Sequence, residues 1–345
     1  MLKPSGKRYV TDAKLCWALC PATRERAGGG HVARCCALAS ALAAEVPVVI
    51  VVQDGSERWR GWLAKVGIDS LTETEAERHS FEGVVIDDYE LSAADVARWR
   101  ERTRGPLAQI EDFGRPLAGI DLVINATPGL TGKKMNHIPA LLGATYAMLG
   151  APYAGRARPK IRKKIESVVV GIGLNDASGA TECSLNGLAQ AFDHRIHVDV
   201  FLGAQSPNAR IVFDMIVRHD NWHLHLDCAD PWRLAVNADL AISGGGQSLL
   251  ERLALGIPVI GITVSENQQL ALAGAAAAGA AIDLGFIANV SAERIAQAAT
   301  MLENDFDKRV ALSKAGQKLV DGCGAARVAS HLTALSRSDR CHASA

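Results

Sequence analysis

Short runs rich in valine and isoleucine alternate with longer amphipathic segments along this chain, and the alternation starts twice. Residues 46–52 show its strand half most plainly: an apolar, β-branched run with almost no polar alternation, as a strand buried on both faces requires. Strands separated by helix-length segments predict a parallel α/β sheet. In the first half, residues 14–19, 46–52, 83–87, 107–111, 121–125 and 145–149 read as strands, with helices over 30–44 and after Ser92. Residues 151–166 break the rhythm with Pro152, Gly155 and Pro159, and with Arg156, Arg158, Lys160, Arg162, Lys163 and Lys164. This segment reads as a linker. A solvated charge run is its plain explanation, and steering of an anionic substrate the sharper one. The alternation then resumes, with strands at 167–173, 197–202, 222–226, 239–243 and 257–263 and helices at 183–192, 209–218, 247–255, 268–278, 292–302 and 306–320.

Two doubly wound Rossmann-like domains facing a cleft are therefore expected: 1–155, 165–335, and a tail over 336–345. A length of 345 residues agrees, at about 100–200 residues per domain. Lysine plus arginine equals aspartate plus glutamate at 37 each, and aromatics are only 5%, which excludes a dedicated nucleic-acid binder with its basic excess and stacking platform. None of the eight cysteines forms a C-x-x-C pair, so neither a zinc ribbon nor a thioredoxin motif is present. The apolar run at 15–19 is too short for a signal peptide, and the alanine-rich 270–282 falls short of the ~20 residues of a membrane span. The expectation is a soluble cytoplasmic protein without a metal or cofactor, a monomer or weak dimer whose partner is a small molecule.

Two glycine loops carry the chemistry. Gly28-Gly29-Gly30-His31, with Arg34 three residues on, follows a strand and opens a helix. Glycines at Gly29 and Gly30 let a ligand approach the backbone, and the helix start offers unpaired N–H groups to an anion. The run matches neither G-x-G-x-x-G nor G-K-[ST], so no dinucleotide site or P-loop is implied. At a helix start the dipole disfavours imidazolium, so His31 is a candidate general base; helix capping or phosphate contact is its plain alternative. The second loop is Ser243-Gly244-Gly245-Gly246-Gln247-Ser248, with Glu251 one turn into the next helix. Gly245, Gly246, Gln247 and Ser248 are placed to cradle a diphosphate, and Glu251 offers two acceptor oxygens to a ribose diol. The plain alternative is a tight strand–helix turn. Asp87-Asp88-Tyr89 closes a strand where side chains meet a cleft, with Asp88 and Tyr89 as candidate ligands; turn or capping use is the alternative. Asn267 and Gln268 start another helix, where side-chain amides reach a sugar or phosphate unless Asn267 merely caps. His219, His223, His225, Asp227 and Cys228 have the look of metal ligands, yet His223 and His225 alternate with Leu224 and Leu226 as the polar face of a strand would. Cys35 and Cys36 are read as buried structural cysteines before nucleophiles.

These motifs, in this order, resemble the UDP-2,4-diacetamido-2,4,6-trideoxy-β-L-altropyranose hydrolases of pseudaminic acid biosynthesis, a family with the two-domain GT-B fold, similar to the N-acetylglucosaminyltransferase that makes lipid II. The resemblance rests on Gly28 to Ala39, on Val85-Ile86-Asp87-Asp88-Tyr89, and on Ala238 to Gly246 continuing into Glu251, Gly256-Ile257-Pro258 and Asn267-Gln268. It implies a GT-B fold and metal-independent, inverting hydrolysis of a UDP-linked amino sugar at the anomeric carbon, with UDP leaving. His31 matches the family's base, Tyr89 and Asn267 match positions near the sugar and that histidine, the second loop would hold the diphosphate, and Glu251 the ribose. The chain departs from the family at Pro21-Ala22-Thr23-Arg24, at Gly171-Ile172-Gly173-Leu174-Asn175-Asp176, and in ending the second loop Gly-Gln-Ser. A GT-B glycosyltransferase using a UDP-sugar, and a nucleotide-sugar binder without chemistry, are the alternatives.

Overall fold

The structure, a computed structural model, describes residues 16–24, 29–156, 161–192 and 195–343, with side chains as far as Arg337. Gly28 and the linker residues Arg158 and Lys160 lie outside the described residues. The chain divides into two compact units.

Among the described residues, the strands of the first unit are β1 (Trp17–Pro21), β2 (Val48–Val52), β3 (Ser70–Thr72), β4 (Gly83–Asp87), β5 (Leu107–Ile110), β6 (Leu122–Asn125), β7 (Lys134–Met135) and β8 (Ile138–Leu142). They form one sheet in the order β3-β2-β1-β4-β5-β6-β8-β7, parallel except for β7 against β8. Burial on both faces follows the two-residue period of a strand. Leu19, Ile50, Val52 and Val85 pack with Val32, Cys35 and Leu38 of the helix Gly29–Leu42, while Ala18, Val49, Val51, Val84 and Ile86 pack on the other face with Ala76 and Val96. Trp17 is fully buried, and a Cβ on Gly83 in the adjacent strand would sit 2.5 Å from its ring. Gly83→Ala is expected to cost ~1–3 kcal/mol as overpacking, read from the urea unfolding midpoint; an unchanged midpoint would show the indole has room to move.

Residues 145–149, expected as a strand, contain a 3-10 turn at Ala144–Tyr146. The chain turns at Gly143, whose φ of 101° suits glycine, and the strand lies earlier, at β8. The domain boundaries differ from the sequence expectation too. Residues 151–155 fall in the second unit, and those from Cys323 onward return to the first. The helix Gly324–Ala343 replaces the expected tail at 336–345, and its Ala325, Val328, Ala329 and Leu332 join the core around Trp17 and Leu38. Those four positions follow the i, i+3, i+4, i+7 spacing of a buried helix face.

The second unit's sheet runs β11-β10-β9-β12-β13-β14, all parallel: β9 (Ser167–Gly171), β10 (His197–Leu202), β11 (Trp222–Leu226), β12 (Leu240–Gly244), β13 (Val259–Thr263) and β14 (Ala281–Phe286). Val168, Val198, Ile242 and Ile260 face Leu185, Leu188 and Phe192 of the helix Ala180–Phe192. Among the parallel strands of each sheet the order reverses once, between β1 and β4 and between β9 and β12. A crevice opens beyond the carboxyl ends of the strands at such a reversal, the usual ligand position of an open α/β sheet.

Candidate active site

In the first unit, Pro21 of β1 is in register with Asp87 of β4, which brings the reversal point to Asp87. The first turn of the Gly29–Leu42 helix carries Gly29 and Gly30, and then places His31 and Arg34 three residues apart on one face. His31 Nδ1 lies 2.6 Å from Asp87 Oδ1. Arg34 donates to both oxygens of the same carboxylate, Nε to Oδ2 at 2.6 Å and Nη2 to Oδ1 at 2.5 Å. Asp87 is fully buried. Burial pushes its carboxyl upward, but the Arg34 guanidinium and then His31 outweigh it and hold the group at about 2. An ionised carboxylate only accepts hydrogen bonds, so the hydrogen between the two groups sits on Nδ1. In the neutral ring Nε2 then carries the lone pair, the tautomer a general base requires.

Tyr89 stands edge-on to His31, with ring centroids 4.6 Å apart. Its hydroxyl donates to Asp112 Oδ2 and accepts from Arg34 Nη2 at 3.2 Å. Arg34 Nη1 donates to the same Asp112 oxygen at 2.7 Å. The tyrosine ring is partly exposed, but desolvation of its hydroxyl raises the phenol's pKa; Arg34 pulls it back, and the Asp112 and Asp87 charges push it up again. Tyr89 is thus a neutral hydrogen-bond donor. Burial alone would lower the guanidinium of Arg34, and Asp112 and Asp87 reverse that, leaving it well above its ordinary value. Arg34, expected as a substrate ligand, spends its donors inside this cluster.

Asp88 turns away from the cluster. Its buried carboxylate accepts from Arg24 Nη1 at 2.8 Å, Gln53 Nε2 at 3.0 Å and the Glu90 amide at 2.9 Å. Thr23 bonds Gln53 as well, so these groups tie the segment after β1 to the ends of β2 and β4. The Cys35 thiol points at Asp87 Oδ2, 3.7 Å away, and burial pushes it well above its ordinary value; burial also pushes Cys36 to about 12. Both remain thiols at neutral pH, which removes them as nucleophiles.

In the second unit the glycine loop leaves β12 beside β9. A Cβ on Gly244 would meet the Ile172 carbonyl oxygen at 2.3 Å, and one on Gly245 the Gln268 carbonyl oxygen at 2.6 Å. Backbone packs where side chains would otherwise be, so these positions demand glycine. The Gln268 side chain braces the loop, its Oε1 accepting from the Gly245 amide at 3.0 Å and the Val264 amide at 3.3 Å. Past Gly246, which as glycine brings no side chain to the N-cap, starts the helix Gln247–Ala254. The helix Ala180–Phe192 offers a contrast: Asp176 accepts from the Ala180 and Thr181 amides at 3.1 and 2.9 Å and closes that end. Gln247 and Ser248 are half-buried in the first turn, and Ser243 Oγ donates to Ser248 Oγ at 3.2 Å. Glu251 follows on the same helix; burial raises its carboxyl, while Arg252 and a hydrogen bond from Tyr153 pull it back. Asn267 accepts from Ser265 Oγ at 2.6 Å at the start of the helix Glu266–Ala277.

His197 and His225 both turn to Asp199, at 3.0 and 2.7 Å, and His219 stacks on Trp222. Among the described residues, no group of three or more His, Cys, Asp or Glu side chains is arranged to hold a metal ion, and no helix is long and apolar enough to cross a membrane.

The sequence reading missed Asp112 and chose Asp88 over Asp87. Strand parity held the signal for Asp87: it is two residues from Val85, which packs with Val32 and Cys35 of the His31 helix.

No protein-family model matches this chain. It is 24% identical over 324 residues to the spore coat polysaccharide biosynthesis protein SpsG of Bacillus subtilis (strain 168), covering 89% of this chain and 95% of that protein. Among solved structures it is similar to the spinosyn forosaminyltransferase SpnP, with a TM-score of 0.65 and 13% identity over 94% of this chain and all of that one. The S. aureus MnaA–UDP structure matches with a TM-score of 0.64 and 15% identity over 91% of this chain and 95% of that one. These likenesses establish the fold: α/β, of the GT-B type, with two Rossmann-like sheets.

Proposed function

We propose that this chain hydrolyses a UDP-linked amino sugar at its anomeric carbon, with inversion and without a metal. The observation that carries the reading is the 2.6 Å contact between His31 Nδ1 and the ionised Asp87, which leaves Nε2 to accept a proton. In this reaction a water oxygen bonds to the anomeric carbon and gives its proton to Nε2. The bond from that carbon to the diphosphate oxygen breaks, and UDP departs with the electron pair. Asp87 stabilises the imidazolium as it forms. Tyr89 binds the sugar beside the base, and Asn267 is a further sugar ligand in this reading.

The leaving group's growing charge needs fixed donors. The start of the Gln247–Ala254 helix, reached through Gly245 and Gly246, supplies backbone amides and the positive end of a dipole. Glu251 accepts from the ribose hydroxyls. SpsG acts in polysaccharide biosynthesis by its name, and the MnaA structure was obtained with UDP, which agrees with a nucleotide sugar here. The likeness to SpnP, a forosaminyltransferase, supports a second reading in which a sugar hydroxyl replaces water as nucleophile.

The two readings part on one assay. Purified protein is incubated with a panel of UDP- and CMP-sugars and no acceptor. The expected result is UDP and a free amino sugar, the latter of inverted anomeric configuration by NMR. Release of UDP only after an acceptor is added would establish the transferase, and UDP binding without any release a non-catalytic binder.

A further inference from the structure

We propose that Asp112 is a positioning residue for the His31 base, holding the Tyr89 phenol edge-on against the imidazole and keeping the far edge of Arg34 on Asp87. The proposal rests on the hydrolase reading for its kinetic consequence alone; the geometry stands by itself. A single oxygen, Asp112 Oδ2, takes the hydroxyl hydrogen of Tyr89 and the Nη1 hydrogen of Arg34. Arg34 is therefore stretched between two carboxylates, with Nε and Nη2 on Asp87 and Nη1 on Asp112. Without the second carboxylate Arg34 is held on Asp87 by its Nε and Nη2 fork alone, with no anchor at Nη1, and Tyr89 loses the Asp112 acceptor that orients it.

The loop that presents Asp112 is itself anchored. The preceding residue, Glu111, is buried, and its carboxylate accepts from the amides of Phe113 at 2.8 Å, Gly114 at 2.6 Å and Arg115 at 2.9 Å. Phe113 closes the arrangement from the other side, edge-on to Tyr89 with centroids 5.0 Å apart. Tyr89 is thus confined between His31 and Phe113 while its hydroxyl is pinned. An anchored turn that delivers one carboxylate to two members of the base cluster is a constructed feature and not a passing surface contact.

Asp112→Asn keeps the shape and an acceptor oxygen but removes the charge, which gives a readout independent of turnover. The groups facing the Tyr89 hydroxyl and ring are Arg34 and His31 from the helix, Asp87 from β4, and Asp112 with Phe113 after β5. Asp112 disfavours the tyrosinate, so its neutralisation is expected to move the Tyr89 ionisation to lower pH in the tyrosinate near-ultraviolet absorbance, with Tyr89→Phe identifying that step. In the UDP-release assay, kcat is expected to fall about 10-fold with KM little changed, because a misplaced cluster slows chemistry more than binding. Asp112→Glu should regain part of the loss, and Tyr89→Phe should match it with no further loss in the double variant. An unmoved Tyr89 ionisation, or a moved one with wild-type kcat, overturns the proposal. If Asp112→Asn fails to fold, wild-type kcat in Tyr89→Phe overturns it. If the wild-type protein releases no UDP from any sugar, the hydrolase reading fails separately, and the ionisation shift alone decides for or against Asp112.

Discussion

Asp87→Asn is expected to slow UDP release about 10⁴-fold while UDP binding is retained. Asp87 holds the Nδ1 hydrogen of His31, so Nε2 keeps its lone pair. An amide at this position offers an N–H of its own, which drives the ring to the other tautomer and blocks the site that must accept the proton. His31→Ala removes the base outright, at a cost of ~10²–10⁴-fold. The two residues act as one unit, so the double variant should be little slower than the slower single; losses that multiply would show separate roles. Asp87→Asn also strips charge from a buried arginine. Asp112 still pairs with that guanidinium, but losing one of its two carboxylates is destabilising, so unfolding must be followed beside kinetics. The acid response supplies the sign. Asp87 titrates at about 2 in the folded protein, below the ~4 of an unfolded aspartate. Its contribution to stability is thus fully present above pH ~4 and is lost as the pH falls toward about 2. That component of acid sensitivity should vanish in Asp87→Asn, as measured by urea midpoints against pH.

Gly245→Val is expected to weaken UDP binding by at least about 100-fold, ~2.7 kcal/mol, in calorimetry. The added Cβ has no flexible neighbour to push aside: it meets the Gln268 carbonyl oxygen at 2.6 Å, and that oxygen belongs to a helix backbone. The loop must move, and the bond from the Gly245 amide to Gln268 Oε1 breaks with it. Gly246→Ala is the matched control. There a Cβ meets only the end of the Gln268 side chain, its Nε2 at an ordinary 3.5 Å, so affinity should stay within about threefold. Equal losses at the two positions would mean that the loop does not grip the diphosphate through its close packing.

The parts of this molecule set by local pattern were legible before any coordinates. Val48–Val52 and Gly83–Asp87 form strands because branched apolar residues fill both faces, and both were readable as such. His31 and the Gly244–Gly246 loop announced themselves as breaks between strand and helix. Asp112 did not, because its role depends on β4 and β5 lying side by side and on Glu111 anchoring the turn, neither of which is written in nearby sequence. The reading of Arg34 as a substrate ligand met the same limit. Whether an arginine faces a ligand or a pair of carboxylates is decided by residues 53 and 78 positions away. The polar pattern at 222–226 was seen, but the common partner of His197 and His225, Asp199, appears only when β10 and β11 pair.

The helix Gly324–Ala343 has a consequence for how the chain matures. Ala325, Val328, Ala329 and Leu332 seal a core whose other buried members all lie between Trp17 and Met148. The first unit therefore leaves the ribosome with an apolar flank uncovered, and waits for the entire second unit to be synthesised before its last piece arrives. Until then the nascent protein carries a sticky surface beside the helix that bears His31. Such an intermediate is aggregation-prone, and a chain cut before Ala325 would leave that flank open.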